Sequence, residues 1–170
     1  MTIVTDSLVR FTDLLNFLPN FDGPIVLDLG CGNADCLSVV NSHYRNAVCF
    51  GLDRVLVDLH QVGDWVYPVQ ADIRAMPFRL DVFDLVISRH PDLIRNRETW
   101  RTAFLSVHKL LKVSGWWLIT CYTLPELEQT CDILESCPRL RWHTMQSDNH
   151  RLYPPDLVGH DRYAIFCRLM

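Results

Sequence analysis

Short apolar runs alternate with segments of helical periodicity along most of the sequence, and this alternation restricts the fold most strongly. Five such runs occupy residues 25–29, 48–53, 65–72, 83–88 and 115–122. The fourth, FDLVIS, is apolar at nearly every position, which is typical of a strand buried on both faces of a sheet. Strands that alternate with helices favour an open parallel sheet covered on both faces. The sequence therefore predicts a doubly wound α/β fold.

Two further strand-like runs, 139–146 and 162–170, have no clear helix between them. Consecutive strands of this kind favour antiparallel pairing, so residues 138–170 are expected to form a terminal β-hairpin. The predicted sheet is thus Rossmann-like and seven-stranded, mostly parallel, with an antiparallel strand near one edge. Pro68 lacks a backbone donor and predicts an edge position for the third strand.

The helical segments flank these strands. The clearest one has apolar residues at helical spacing: Trp100, Ala103, Phe104, Val107, Leu110 and Leu111. Gly115 is expected just past the end of this helix. Residues 1–20 predict an N-terminal helix with an apolar face formed by Leu8, Phe11, Leu15 and Leu18. A weak helix is expected around 54–62, and Pro125 predicts the start of another at 125–136. One domain over 1–170 accommodates all of these elements.

Composition narrows the function classes. The formal charge of −4 provides no global field that would attract a nucleic acid, so nucleic-acid binding would need a local basic patch. Seven cysteines without C-x-x-C spacing favour buried thiols in a reducing compartment. The first residues lack a signal-peptide pattern, and the apolar runs are too short to cross a bilayer. A cytoplasmic protein without a membrane span is expected.

A glycine-rich loop, Gly30 to Asp35, follows the first core strand and precedes a helix. In doubly wound sheets the ligand binds at this carboxyl end of the strands. A dinucleotide fingerprint would require glycine or alanine where Asp35 stands, and no G-K-[ST] follows as in a phosphate-binding P-loop. A ligand that carries an ammonium and a sulfonium suits Asp28 better than a pyrophosphate does, while Gly30 and Gly32 let the backbone approach it closely.

The stretch VLDLGCGNAD resembles the first motif of the class I S-adenosylmethionine-dependent methyltransferases, D/E-x-G-x-G-x-G. Asp28, Gly30 and Gly32 are in register with that motif, and Ala34 replaces its third glycine. Further motifs follow in the family's order over residues 25–122, which we expect to form the cofactor-binding core: GLD at 51–53, QADIRAMPF at 70–78, FDLVISRH at 83–90 and LLKVSGWWLI at 110–119.

The resemblance implies that the cofactor is S-adenosylmethionine and the product S-adenosylhomocysteine. Asp53 would hold the ribose hydroxyls, although a helix N-cap is an alternative role for it. Asp72 and Ile73 would contact the adenine, although Asp72 could equally cap a loop. The N-terminal helix would act as a lid. The full set of expected cofactor-binding residues is Asp28, Gly30, Cys31, Gly32, Asp53, Arg54, Asp72, Ile73 and Ser88.

Catalytic groups are expected directly after the fourth strand, where the resembling family places the methyl acceptor. His90, with an unperturbed pKa near ~6.5, could remove a proton from the acceptor, and Arg89 could hold a carboxylate or phosphate. Arg97 and Arg101 are expected on a solvated surface. His143, His150 and His160 fit no common zinc spacing, so no metal site is predicted.

The expected function is methyl transfer to an unidentified acceptor, for which a small molecule is favoured. The alternatives are a cofactor-binding protein without turnover, an RNA or protein methyltransferase that acts with a partner chain, and a nicotinamide-dependent oxidoreductase. At this size a second copy of the chain could complete the pocket, as a homodimer.

Overall fold

The computed structural model describes residues 2–5, 9–55, 64–147 and 160–170. Its elements in chain order are β1 (Thr2–Thr5), β2 (Val9–Arg10), α1 (Phe11–Leu15), β3 (Ile25–Leu29), α2 (Asp35–His43), β4 (Val48–Asp53), β5 (Val66–Gln70), a 3-10 turn (Ile73–Ala75), β6 (Phe83–Arg89), α3 (Arg97–Val107), β7 (Leu111–Cys121), α4 (Leu124–Glu135), β8 (Leu140–Ser147), β9 (His160–Asp161) and β10 (Tyr163–Leu169).

One large sheet organises these elements, with strand order β1-β8-β10-β7-β6-β3-β4-β5. Strand β10 is antiparallel to both β7 and β8, and the other pairs are parallel. The predicted doubly wound fold with its terminal hairpin is confirmed, and β1 adds a short eighth strand beside β8. Strand β5 lies at the opposite edge, as Pro68 predicts.

Apolar clusters fill both faces of the sheet. On one face Trp117 of β7 packs edge-on against Phe104 of α3, with ring centroids 4.6 Å apart. On the other face Leu14 of α1, Leu37 of α2 and Phe166 of β10 belong to one buried cluster. Helices on both faces leave the carboxyl ends of β3, β4 and β6 as the place where a ligand can enter.

The N-terminal prediction is wrong in part. Within the described part of this segment, the helix is limited to Phe11–Leu15, and Thr2–Thr5 and Val9–Arg10 are strands that pair with β8 and β9. Leu8 lies outside the described residues, as do residues 56–62 of the weak helix expected around 54–62. Pairing with distant strands overrides the local helical pattern, which carries no information about those partners. The lid role of residues 1–20 stays a prediction.

Gly115 does not follow a helix, which corrects the prediction for the clearest helical segment. Helix α3 ends at Val107, and Gly115 lies inside β7, beside the irregular pairing of Phe83 and Leu85 with that strand. A Cβ atom on Gly115 would stand 2.8 Å from the carbonyl oxygen of Lys112 and 3.1 Å from that of Phe83. The glycine is therefore required by close backbone packing at a bulge.

Candidate functional site

The glycine-rich loop is tied to the end of β4. The amides of Gly30 and Cys31 donate to the carbonyl oxygen of Leu52 at 2.8 and 3.2 Å, and the amide of Gly32 donates to Oδ2 of Asp53 at 3.0 Å. Gly30 and Gly32 have φ of 72° and 50°, in the left-handed region. The loop therefore turns sharply and exposes its backbone beside the ends of two neighbouring strands.

Ala34 keeps the backbone conformation that suits glycine. Its φ is 60°, and its amide donates to the carbonyl oxygen of Cys31 at 2.7 Å. A left-handed alanine is strained by roughly 1 to 2 kcal/mol. The turn that precedes α2 is thus retained despite the missing third glycine of the resembling motif.

Asp28 is the buried acid of this site, with 2% of its surface exposed. Burial raises its pKa to about 7; the nearby Arg89 opposes this rise and Asp53 adds to it. A carboxyl group in such surroundings gains most from a cationic ligand, since the ligand's charge would compensate for its lost hydration.

Two adjoining compartments open beside this loop, and Gly30 and His90 line both of them. The first has a volume of about 290 Å³ and includes these further residues: Asp53, Arg54, Asp72, Ile73, Arg74, Asp92, Asn96, Thr99 and Trp100. The second has a volume of about 180 Å³ and includes these: Asp28, Cys31, Asn33, Asp35, Cys36 and Arg89. The structure therefore places most of the predicted cofactor residues along two compartments that share Gly30 and His90.

Asp53 and Asp72 both combine a capping role with a place in the first compartment. Oδ1 of Asp53 accepts from the amide of Val55 at 2.9 Å. Oδ1 of Asp72 accepts from the amide of Arg74 at 2.8 Å, and the Arg74 guanidinium lowers the pKa of Asp72 to about 2. Asp72 therefore stays ionised at neutral pH. The two alternatives considered for each residue are compatible, because a carboxylate can accept several hydrogen bonds.

Gly32 and Ser88 are not among the residues that line the two compartments, and their contacts with the cofactor stay predictions. The Ser88 side chain is fully buried, and its hydroxyl accepts a hydrogen bond from Nε1 of Trp117 at 3.1 Å. Cys31 and Cys36 do line the second compartment, but burial raises the pKa of both thiols. Neither thiol is therefore suited to act as a nucleophile at neutral pH.

Arg89 and His90 meet at a buried acid that the sequence analysis missed. Asp161 of β9 is 1% exposed, and its Oδ1 lies 3.3 Å from Nε of Arg89 and 2.6 Å from Nε2 of His90. No local pattern could identify Asp161, because it is far from both residues in the sequence and only the fold joins them. Arg97 and Arg101 are exposed, as predicted.

Trp100 was also missed, because its helical spacing indicated a core residue. It lines the first compartment, and its ring contacts the glycine loop: a Cβ atom on Gly30 would lie 3.1 Å from its Cη2 atom. By contrast, a Cβ atom on Gly32 would have no neighbour within 4 Å.

Gly30→Ala is therefore expected to destabilise the protein more than Gly32→Ala. Both variants place alanine in the left-handed region, at about 1 to 2 kcal/mol each. Gly30→Ala must also displace Trp100, for roughly 1 kcal/mol more. Urea unfolding would measure both changes. When Trp100→Leu is added to each variant, the difference between Gly30→Ala and Gly32→Ala should disappear. If the two variants lose equal stability while Trp100 is present, the contact of Trp100 with position 30 does not limit the substitution.

The family assignment rests on this geometry together with sequence similarity. The sequence model of a family described as a methyltransferase domain matches residues 26–115, slightly more than half of the chain. The chain belongs to this methyltransferase domain family. The resemblance to class I S-adenosylmethionine-dependent methyltransferases is thereby confirmed. A search of curated proteins finds no match.

Solved structures agree on the fold. An S-adenosylmethionine-dependent O-methyltransferase from Thermotoga maritima is 20% identical with a TM-score of 0.70, over 94% of this chain and 64% of that one. Phosphoethanolamine N-methyltransferase 2 of Haemonchus contortus, in complex with S-adenosylmethionine, is 17% identical with a TM-score of 0.65, over 92% of this chain and 50% of that one. An S-adenosylmethionine-dependent methyltransferase from Mesorhizobium loti is 17% identical with a TM-score of 0.68, over 91% of this chain and 95% of that one.

The present chain therefore spans slightly less than two thirds of the Thermotoga protein and half of the Haemonchus protein.

Among the described residues, no helix is long and apolar enough to cross a membrane.

Proposed function

We propose that the protein transfers a methyl group from S-adenosylmethionine to an acceptor, and that S-adenosylhomocysteine leaves. The observation that carries this proposal is the buried Asp28 in the second compartment, close to Gly30, which lines both compartments. The cofactor carries a sulfonium and an ammonium, and a buried carboxyl group favours both over a phosphate. Family membership supports the same cofactor.

A nicotinamide dinucleotide fits the charge of this site poorly. Asp35 is the first residue of α2, and Nδ2 of Asn33 donates to its Oδ2 at 2.9 Å. A pyrophosphate at this helix terminus would meet Asp35 as well as Asp28. The repulsion of two carboxylates opposes the attraction of the helix N-terminus for anions.

Different residues of the two compartments would bind different parts of the cofactor and the acceptor. When bound, S-adenosylmethionine supplies a methyl group that its sulfonium already activates. Gly30 and Gly32 allow close approach of the backbone, and Asp53 and Asp72 offer acceptors for the ribose and the adenine amino group. Arg89 and His90 lie at the second compartment, where the acceptor would be oriented. Orientation of this kind can supply ~7 to 11 kcal/mol of barrier reduction.

A small molecule is the acceptor that we propose. The second compartment is narrow, at about 180 Å³, and the net charge of −4 does not favour a nucleic acid. The seven free cysteines support a reducing compartment, the cytoplasm. An RNA or protein acceptor with a partner chain, and a homodimer that completes the pocket, stay as alternatives.

Thermal unfolding with added ligands tests the cofactor. S-adenosylmethionine or S-adenosylhomocysteine at about 100 times its dissociation constant should raise the stability by ~2.7 kcal/mol and the midpoint by roughly 5 to 10 °C. Asp53→Ala should reduce the shift, because Asp53 lines the first compartment and holds the amide of Gly32. Asp132→Ala, on the exposed side of α4, is the matched control and should respond like the wild type.

A shift with NADH and none with the sulfur cofactors would overturn the cofactor proposal. If the sulfur cofactors do bind, formation of S-adenosylhomocysteine in the presence of hydroxyl, thiol and amine acceptors would distinguish turnover from binding alone.

A further inference from the structure

We propose that Asp161 is a positioning residue that holds Nε2 of His90, so that Nδ1 is the atom that takes a proton from the methyl acceptor. This proposal rests on the methyltransferase function proposed above and assigns a role to a residue in β9, outside every motif of the sequence.

The contact between the two side chains is short and buried. Oδ1 of Asp161 lies 2.6 Å from Nε2 of His90, and the His90 side chain is 14% exposed. Within the described part of the chain, Nε2 of His90 has no other partner, and Oδ2 of Asp161 has none. A buried polar atom needs a partner, and Oδ1 of Asp161 is the acceptor within reach of Nε2. Pairing with a carboxylate keeps the proton on Nε2 and leaves Nδ1 as an acceptor.

The rest of the surroundings fix the orientation of the imidazole. The ring of His90 stacks on that of Tyr122, with centroids 3.4 Å apart, and its amide donates to the carbonyl oxygen of Thr120 at 3.0 Å. His90 also has a φ of 50°, which is uncommon for a residue other than glycine. Such strain persists only where the surrounding structure holds it, and it concentrates at functional sites.

Asp161 is itself fixed by the backbone. It pairs with Val9 in the small sheet of β2 and β9, so the N-terminal strand holds the acid against the end of β6. Arg89 shares the same carboxylate oxygen at 3.3 Å, and its guanidinium lies 5.5 Å from the ring of Phe11. The N-terminal strand β2, the strand β9 and the end of β6 therefore come together beside Nε2 of His90.

Several charged groups surround the imidazole of His90. Asp161 faces Nε2, and Arg89 competes with His90 for the same carboxylate oxygen. Tyr122 stacks on the ring without a charge at neutral pH. The other charged residues share a compartment with His90: Asp28, Asp35, Asp53, Arg54, Asp72, Arg74 and Asp92. Of these groups, Asp161 is the one that forms an ion pair with Nε2, at 2.6 Å.

The proposed step is a displacement at the methyl carbon, accompanied by transfer of a proton from the acceptor to His90. The proton of an acceptor hydroxyl or thiol passes to Nδ1 of His90 as the acceptor oxygen or sulfur bonds to the methyl carbon. The bond between that carbon and the sulfur of the cofactor breaks, and its electron pair stays on sulfur. Asp161 stabilises the imidazolium that results.

The tautomer of His90, read by NMR, tests the proposal without knowledge of the acceptor. The full chain would be labelled with 15N-histidine, and His90→Gln would assign one of seven signals. With the ring neutral, we expect the 15N shifts of His90 to show the proton on Nε2 and a free acceptor at Nδ1. In Asp161→Asn we expect a mixture of the two tautomers, because the carboxylate that holds the Nε2 proton is lost. In Arg89→Gln the proton should stay on Nε2, because Asp161 still faces it.

A wild-type ring that is protonated on Nδ1, or an unchanged tautomer in Asp161→Asn, would overturn the proposal. If Asp161→Asn does not fold, the wild type and Arg89→Gln decide, and a proton on Nδ1 in either of them overturns it. The S-adenosylmethionine-induced shift of the unfolding midpoint would be measured on the same wild-type sample. Its presence with an unresponsive His90 would reject the role of Asp161 alone, and its absence would reject the proposed function.

Discussion

Asp28→Asn is expected to stabilise the ligand-free protein at pH 8 and to weaken S-adenosylmethionine binding. The folded protein must ionise a carboxyl group whose pKa burial raises to about 7, against 3.8 as the ordinary value. At pH 8 that difference corresponds to roughly 4 kcal/mol of unfavourable free energy, which the neutral amide avoids. The same amide cannot pair with a cation, so binding should weaken roughly 10- to 100-fold.

The pH dependence of the stability gain has a definite sign. Between about pH 4 and 7 the folded wild type holds a proton on Asp28 that the unfolded chain has released. Its contribution to stability is therefore complete below pH 4 and is lost as the pH rises through about 7. The advantage of D28N should grow by roughly 2 kcal/mol between pH 5.5 and 8. Urea unfolding at both pH values measures it, and calorimetric titration measures the binding.

Asp84→Asn is the matched control for Asp28→Asn. Asp84 lies on the neighbouring strand β6, where Oδ2 accepts from the amide of Ile25 at 2.9 Å and from Nζ of Lys112 at 2.7 Å. Its carboxylate already has partners, so D84N should destabilise the protein and leave cofactor binding unchanged. A loss of stability in D28N at pH 8, or unchanged binding, would contradict the role assigned to Asp28.

Gly115→Ala is expected to be the most destabilising of the glycine substitutions. The added Cβ atom would meet two backbone carbonyl oxygens, of Lys112 and Phe83, at 2.8 and 3.1 Å. Backbone atoms in the sheet cannot rotate away as a side chain can, so β6 and β7 must separate locally. We expect a loss of roughly 3 kcal/mol and a midpoint lower by roughly 10 °C.

Ser114→Gly provides the comparison at the adjacent position. Ser114 is exposed and has a φ of 65°, so glycine relieves strain there. After the entropy of the glycine is subtracted, a gain of roughly 0.5 to 1 kcal/mol is expected. Thermal unfolding of both variants measures the pair. If Gly115→Ala were tolerated within experimental error, close packing at the bulge would not be the reason for Gly115.

The chain's local patterns were enough to predict its parallel sheet and the glycine-rich turn that follows β3. Runs such as FDLVIS are buried on both faces wherever they lie in a parallel sheet, so their apolar character is visible without knowledge of their partners. The loop from Asp28 to Asp35 was predictable for a related reason. A tight turn, an acid and a helix start must be contiguous in the sequence to form one binding loop, and their order is itself the signal.

Tertiary structure alone decided the features that depend on distant partners. The N-terminal segment forms strands because β8 and β9 offer free edges to it, and no pattern in residues 1–20 specifies those edges. Gly115 has the same spacing as a helix-ending glycine, but its role depends on the carbonyl of Phe83. Asp161 reaches His90 and Arg89 only after β9 pairs with β2. Close contacts between residues far apart in sequence arise from packing, which a single sequence does not record.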